Sequence, residues 1–122
     1  MIRYVLLLNL VASPAFAQSG DLEAICATVA KNFLLTDVLH LGIVQSFPEL
    51  KPPGVRLTYS TRANVAKSEM SDTFECEFSN AKPPFSLVRF CQSNTCYSPQ
   101  EKDAARKRRF EEMRILLERS QK

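Results

Sequence analysis

Two stretches decide the fold: Val55-Arg56-Leu57-Thr58-Tyr59-Ser60 and Thr73-Phe74-Glu75-Cys76-Glu77-Phe78. Each alternates apolar and polar residues. Successive side chains of a strand point to opposite faces, so Val55, Leu57 and Tyr59 share one face, as do Phe74, Cys76 and Phe78. Arg56 and Thr58, and likewise Glu75 and Glu77, fall on the other. One packed face and one wet face are the pattern of an antiparallel sheet. The polar segment from Thr61 to Ser71 predicts a long hairpin connection between the two strands.

Upstream, Leu39, Leu41, Ile43 and Phe47 alternate and predict another strand, weakened inside by Gly42. Pro48, Pro52, Pro53 and Gly54 then mark a loop. Further back, Leu22, Ile25, Cys26, Val29 and Phe33 recur at three- and four-residue steps, one apolar stripe of an amphipathic helix. Ser19 or Asp21 supplies its cap, and it runs to about Leu35. Downstream, Asn80 to Pro84 reads as a turn and Phe85 to Cys91 as a further strand. Ser98-Pro99-Gln100-Glu101 has the form of a capping box with proline at the first helical position. It predicts a helix from Pro99 to about Ser120, with a narrow stripe of Ala105, Phe110, Met113, Leu116 and Leu117. Opposite charges four residues apart (Asp103/Lys107, Lys107/Glu111, Arg108/Glu112 and Arg114/Glu118) support a solvated helix. The expected fold is α+β: an N-terminal helix on a three- to four-stranded antiparallel sheet, followed by a long C-terminal charged helix.

The first 17 residues read differently from the rest. Met1 to Tyr4 carries one positive charge, Val5 to Val11 is mostly apolar, and Ala12-Ser13-Pro14-Ala15-Phe16-Ala17 ends on small residues at the two positions flanking a signal-peptidase cut. Pro14 ends the apolar segment and is expected to leave the cleavage site extended. The apolar run is too short to anchor the chain in a bilayer, which takes roughly 20 apolar residues. No cysteine directly follows it, as a lipoprotein signal would need, and no arginine pair precedes it. The expected organisation is a cleaved signal peptide over 1–17, a disulfide-stabilised domain over 18–97 and the amphipathic helix over 98–122. Cleavage removes Arg3 and leaves 105 residues, with 15 Lys+Arg against 13 Asp+Glu. That balance argues against nucleic acid as a partner. No transmembrane segment is expected after cleavage. The protein is therefore expected in the periplasm or outside the cell.

Export changes the meaning of the four cysteines, Cys26, Cys76, Cys91 and Cys96. An even count in a short exported chain predicts disulfides. A turn through Gln92-Ser93-Asn94-Thr95 favours Cys91–Cys96, which leaves Cys26–Cys76. Zinc usually takes ligands in close pairs, and here only one pair is close; the single histidine, His40, lies elsewhere. No metal and no cofactor is expected. There is no Cys-x-x-Cys redox motif.

The helix cysteine, together with Val55-Arg56-Leu57-Thr58-Tyr59-Ser60-Thr61-Arg62-Ala63-Asn64 and the later Cys76-Glu77-Phe78, resembles small exported bacterial domains of unknown function. Their strands read roughly Tyr-x-Ala-x-Asn and then Cys-x-Phe. The resemblance spans about residues 24–78. It implies a fold and a helix-to-strand disulfide, and no activity.

Candidates for chemistry are few. His40 could act as an acid or base, but no nucleophile motif such as Gly-x-Ser-x-Gly accompanies it. Asp72, Glu75 and Glu77 gather near one strand, and paired carboxylates can cleave glycosides; the simpler reading is a solubilising face. Phe85, Phe90 and Tyr97 could form a binding platform, with core packing the simpler reading for the two phenylalanines. The run Arg106-Lys107-Arg108-Arg109 is the densest charge and the first place to look for an interaction surface, although a helix spreads four consecutive residues around its circumference. The functional expectation is a non-enzymatic module that works through an unknown protein partner in the cell envelope. The alternative is an inhibitor or immunity-type module against an envelope enzyme, with Thr61 to Ser71 as the probing loop. A third possibility is an enzyme acting through Glu75 and Glu77 or through His40.

Overall fold

The computed structural model describes residues 14–121, with side chains from Gly20 onward. The chain runs α1 (Pro14–Leu34), β1 (His40–Phe47), β2 (Gly54–Ser60), β3 (Asp72–Phe78), β4 (Leu87–Gln92), β5 (Thr95–Tyr97) and α2 (Ala104–Ser120), with a 3-10 turn at Lys67–Glu69. The five strands form one antiparallel meander in the order β1-β2-β3-β4-β5. The fold is α+β with the first helix before the sheet, as the alternation predicts, but the sheet has five strands rather than three or four. The extra one, β5, is only three residues long and pairs with β4 around the two-residue turn Ser93-Asn94. A strand that short cannot show a period.

Register decides which side chains meet. One row across the sheet runs Ser46, Val55, Cys76, Phe90, Tyr97. The neighbouring row starts Val44, Leu57, Phe74. These rows form the packed face, and both helices lie on it. Leu22, Cys26, Val29 and Ala30 from α1 and Phe110, Met113 and Leu117 from α2 join Val55, Leu57, Phe74, Cys76, Phe78 and Phe90 in one buried cluster. The C-terminal helix thus shares the core of the preceding residues. The aromatic side chains carry much of this packing: Phe90 stacks on Tyr97 at 4.7 Å and on Phe74 at 5.7 Å, and Phe33 meets Phe90 edge-on at 5.2 Å. Such pairs contribute beyond the area they bury.

Both helix starts differ from expectation. α1 begins at Pro14, not at Ser19 or Asp21. Proline is suited to a first helical turn, where its missing N–H has no partner to lose, and the following Ala-Phe-Ala-Gln accepts helix. The predicted signal, residues 1–17, lies outside the described residues except for its last four, whose backbone is helical rather than extended. α2 begins five residues later than the capping box predicts. Asp103 is its cap, with Oδ1 accepting from Arg106 N–H at 3.0 Å. Ser98 instead closes a turn, its Oγ accepting from Gln100 N–H at 3.2 Å. Its companion Glu101 pairs with Arg106 at 3.7 Å. An Asx cap and a Ser-x-x-Glu cap compete for one helix start, and here the aspartate takes it.

The end of α1 is a Schellman closure. Leu35 turns into the left-handed region at φ 54°, and Thr36 N–H donates to Lys31 C=O at 3.2 Å. In β1, Gly42 and Ile43 together face Thr58, a bulge between the Leu41–Tyr59 and Val44–Leu57 pairs. Ile43 N–H donates to Thr58 Oγ1 at 2.8 Å. A Cβ on Gly42 would lie 2.3 Å from that oxygen, so no larger residue fits the bulge as it stands.

Candidate functional site

The four cysteines form the two expected bonds, Cys26–Cys76 and Cys91–Cys96. The first staples α1 to β3 inside the core. The second joins directly facing residues of β4 and β5. All four sulfurs are thereby used, which leaves no thiolate for a metal. Two disulfides are compatible with an oxidising compartment. No described helix is long and apolar enough to cross a membrane.

The sheet face away from the helices is polar, as the glutamates predicted. Arg56 meets Glu75 at 3.5 Å across β2 and β3, and Arg89 meets Glu77 at 3.2 Å across β3 and β4. Each carboxylate therefore has an arginine of its own from a neighbouring strand. His40 is half-buried at the other end of the sheet, paired with Ser60, whereas Glu77 lies in the row of Gly54 and Phe47. Seven residues of strand, roughly 20 Å, separate those rows. The structure does not bring His40 together with Glu75 and Glu77. Asp72 is exposed, and Phe85 and Phe90 are buried in the core with Tyr97 packed against it.

The loop from Thr61 to Ser71 is exposed at Thr61–Asn64 but folds back at its far end. Lys67 C=O and the Met70 sulfur lie against Gly42 on β1. It does not stand clear of the fold along its whole length.

The basic run of α2 separates into different roles. Arg106 turns back to Glu101. Lys107 and Arg108 are exposed. Arg109 reaches across to α1: its guanidinium lies 4.8 Å from the centre of the Phe33 ring, donates to Phe33 C=O at 2.9 Å and pairs with Glu112 at 3.1 Å. Of the four charge pairs predicted at four-residue spacing, Arg114–Glu118 forms, at 2.6 Å. Arg114 also forks onto Glu111, which lowers the Glu111 pKa through that hydrogen bond and raises its own. Among the described residues the other three pairs are not made, because Asp103 is the cap, Glu112 turns to Arg109 and Glu111 turns to Arg114.

Beside Arg109 lies a feature the sequence did not single out. Leu35, Ile115 and Leu116 are exposed by 85%, 36% and 41%. They line one cleft of about 350 Å³ between the end of α1 and the outer side of α2, with Arg109, Glu112 and Arg119 also in its wall. Leu116 belonged to the predicted apolar stripe but points outward; Met113 and Leu117 take the inner positions. A larger cleft, about 490 Å³, lies between α1, Pro83–Phe85 and Gln121, with Asp21 as the charged group of its lining. Comparison of the chain with known protein families, curated proteins and solved structures finds no match.

Proposed function

We propose that this chain is an exported, non-enzymatic interaction module that binds a protein partner in the cell envelope through the outer side of its helix layer. The observation that carries the reading is the cleft of Leu35, Ile115 and Leu116. Apolar side chains gathered on one exposed patch and ringed by charge are a common feature of protein contact sites. Arg109 ties the two helices together at that cleft, and Arg109, Glu112 and Arg119 supply the charge in its wall. Export is supported by the pattern of residues 1–17 and by the two disulfides.

The test is a photo-crosslinking residue at position 116, with a control at Asn80, in cells that export the protein. A discrete adduct from position 116, absent from position 80 and lost in Leu35→Gly, supports the reading. Leu35→Gly relieves a left-handed leucine, so it keeps the fold while removing the most exposed apolar side chain. Equal crosslinking at both positions, or none at 116, removes the reading.

A further inference from the structure

The two disulfides differ in the properties that govern thiol exchange. Cys26, on α1, and Cys76, on β3 beneath it, are 0% and 1% exposed; Cys91 is buried too, at 3%, so the second bond differs at its Cys96 end. Cys91 and Cys96 sit in the same cross-strand row as Arg56 and Glu75, on the face that carries no helix. Cys96 is half-buried, and Arg89 Nη2 donates to its Sγ at 3.1 Å. Exchange requires a thiolate to reach a sulfur, and it is faster when the departing sulfur is a stable anion. The guanidinium against Cys96 supplies that stability in the step that releases Cys96. The strand pair also has support besides the bond: Phe90 faces and stacks on Tyr97, and Gln92 pairs with Thr95.

From these relationships we infer that Cys91–Cys96 is a thiol-exchange site for small thiols, while Cys26–Cys76 is the structural bond. A thiolate attacks the Sγ of half-buried Cys96, forms a mixed disulfide there and breaks the Cys91–Cys96 bond. Cys91 leaves as a thiolate and takes a proton from water. A second thiolate attacks the small-molecule sulfur of the mixed disulfide. It forms the free disulfide and releases Cys96 as a thiolate against Arg89. Two thiols are oxidised to one disulfide, and the protein disulfide gains the two electrons. The site uses residues separate from the helix-layer cleft, so it stands whether or not that cleft binds a partner.

The experiment exposes the intact folded chain to graded mixtures of reduced and oxidised glutathione, followed by maleimide labelling and peptide mass analysis. Cys91 and Cys96 are expected to label together while Cys26 and Cys76 stay unlabelled and the circular dichroism is unchanged. With limiting maleimide at pH 7, Cys96 should label about tenfold more slowly in Arg89→Ala than in the unaltered chain. Opening of both disulfides together, or opening of Cys91–Cys96 only in denaturant, overturns the site. An unchanged Cys96 labelling rate in Arg89→Ala overturns the part assigned to the guanidinium.

Discussion

Gln121 pairs with Phe85 as one strand residue pairs with another: its Nε2 donates to Phe85 C=O at 2.7 Å, and its Oε1 accepts from Phe85 N–H at 2.7 Å. The same Nε2 donates to Leu117 C=O at 3.2 Å. One side-chain amide therefore ties the end of α2 to the segment entering β4, 36 residues earlier. Removing it leaves a part-buried N–H and C=O without partners. Gln121→Ala should cost about 1–3 kcal/mol in denaturant unfolding. Loss of only a few tenths would show that water replaces the amide.

The bulge in β1 predicts a coupling between two residues. Gly42→Ala forces its Cβ onto Thr58 Oγ1 and should destabilise by about 1–3 kcal/mol. Thr58→Ala removes that oxygen, which Ile43 N–H needs. In the double variant the clash is gone, so the two costs should sum to less than their parts by at least about 0.5 kcal/mol. Additive costs in a double-mutant cycle would place the strain on Met70 and Lys67 instead.

Much of this architecture was legible because it repeats. The alternation at residues 55–60 and 73–78 gave the strands, their packed face and the wet one, and the helical spacing of Leu22, Cys26 and Val29 gave the face of α1. Given one close cysteine pair, the other pairing followed. What stayed hidden was decided by contacts between distant residues or by competition within a few. The start of α2 went to Asp103 because Ser98 was already engaged in a turn. β5 exists because Tyr97 has Phe90 to stack on, which three residues cannot announce. The cleft at Leu35, Ile115 and Leu116 joins positions about 80 residues apart and depends on a backbone reversal at a non-glycine residue, which no local pattern marks.

The buried disulfide should dominate the entropy of the unfolded chain. Cys26–Cys76 spans 50 residues and Cys91–Cys96 spans 5. Loop-closure reasoning assigns about 4 kcal/mol to the first and about 2 kcal/mol to the second. Replacing Cys26 and Cys76 together by alanine should therefore lower unfolding stability about twice as much as replacing Cys91 and Cys96. The reverse order would mean that the hairpin bond holds the edge of the sheet in a way that loop length does not capture.

Arg109 should not be replaceable by lysine. Its planar guanidinium covers the Phe33 ring while donating to Phe33 C=O and to Glu112. An ammonium keeps the charge but cannot make all three contacts at once. Arg109→Lys should lose about 1 kcal/mol or more of stability. Lys107→Ala and Arg108→Ala, two residues and one residue earlier and exposed, should each change it by less than about 0.5 kcal/mol. Equal effects along the run would return the basic stretch to a simple solvated face.

The outer ion network of α2 predicts the direction of an acid response. Arg114 forks onto Glu111, and that hydrogen bond holds the Glu111 carboxyl below the usual carboxylate range. A carboxylate with a depressed folded pKa stabilises the fold above its unfolded pKa, and that contribution is lost as pH falls through the folded value. Acidification below the ordinary carboxylate range should therefore loosen the contact. Glu111 is on the surface, so the effect is small and screened by salt. Carbon-detected NMR titration should find Glu111 protonating below the usual carboxylate range. In Arg114→Gln the Glu111 midpoint should rise towards the usual carboxylate range. A Glu111 midpoint that ignores the loss of Arg114 would show that the fork does not persist in solution.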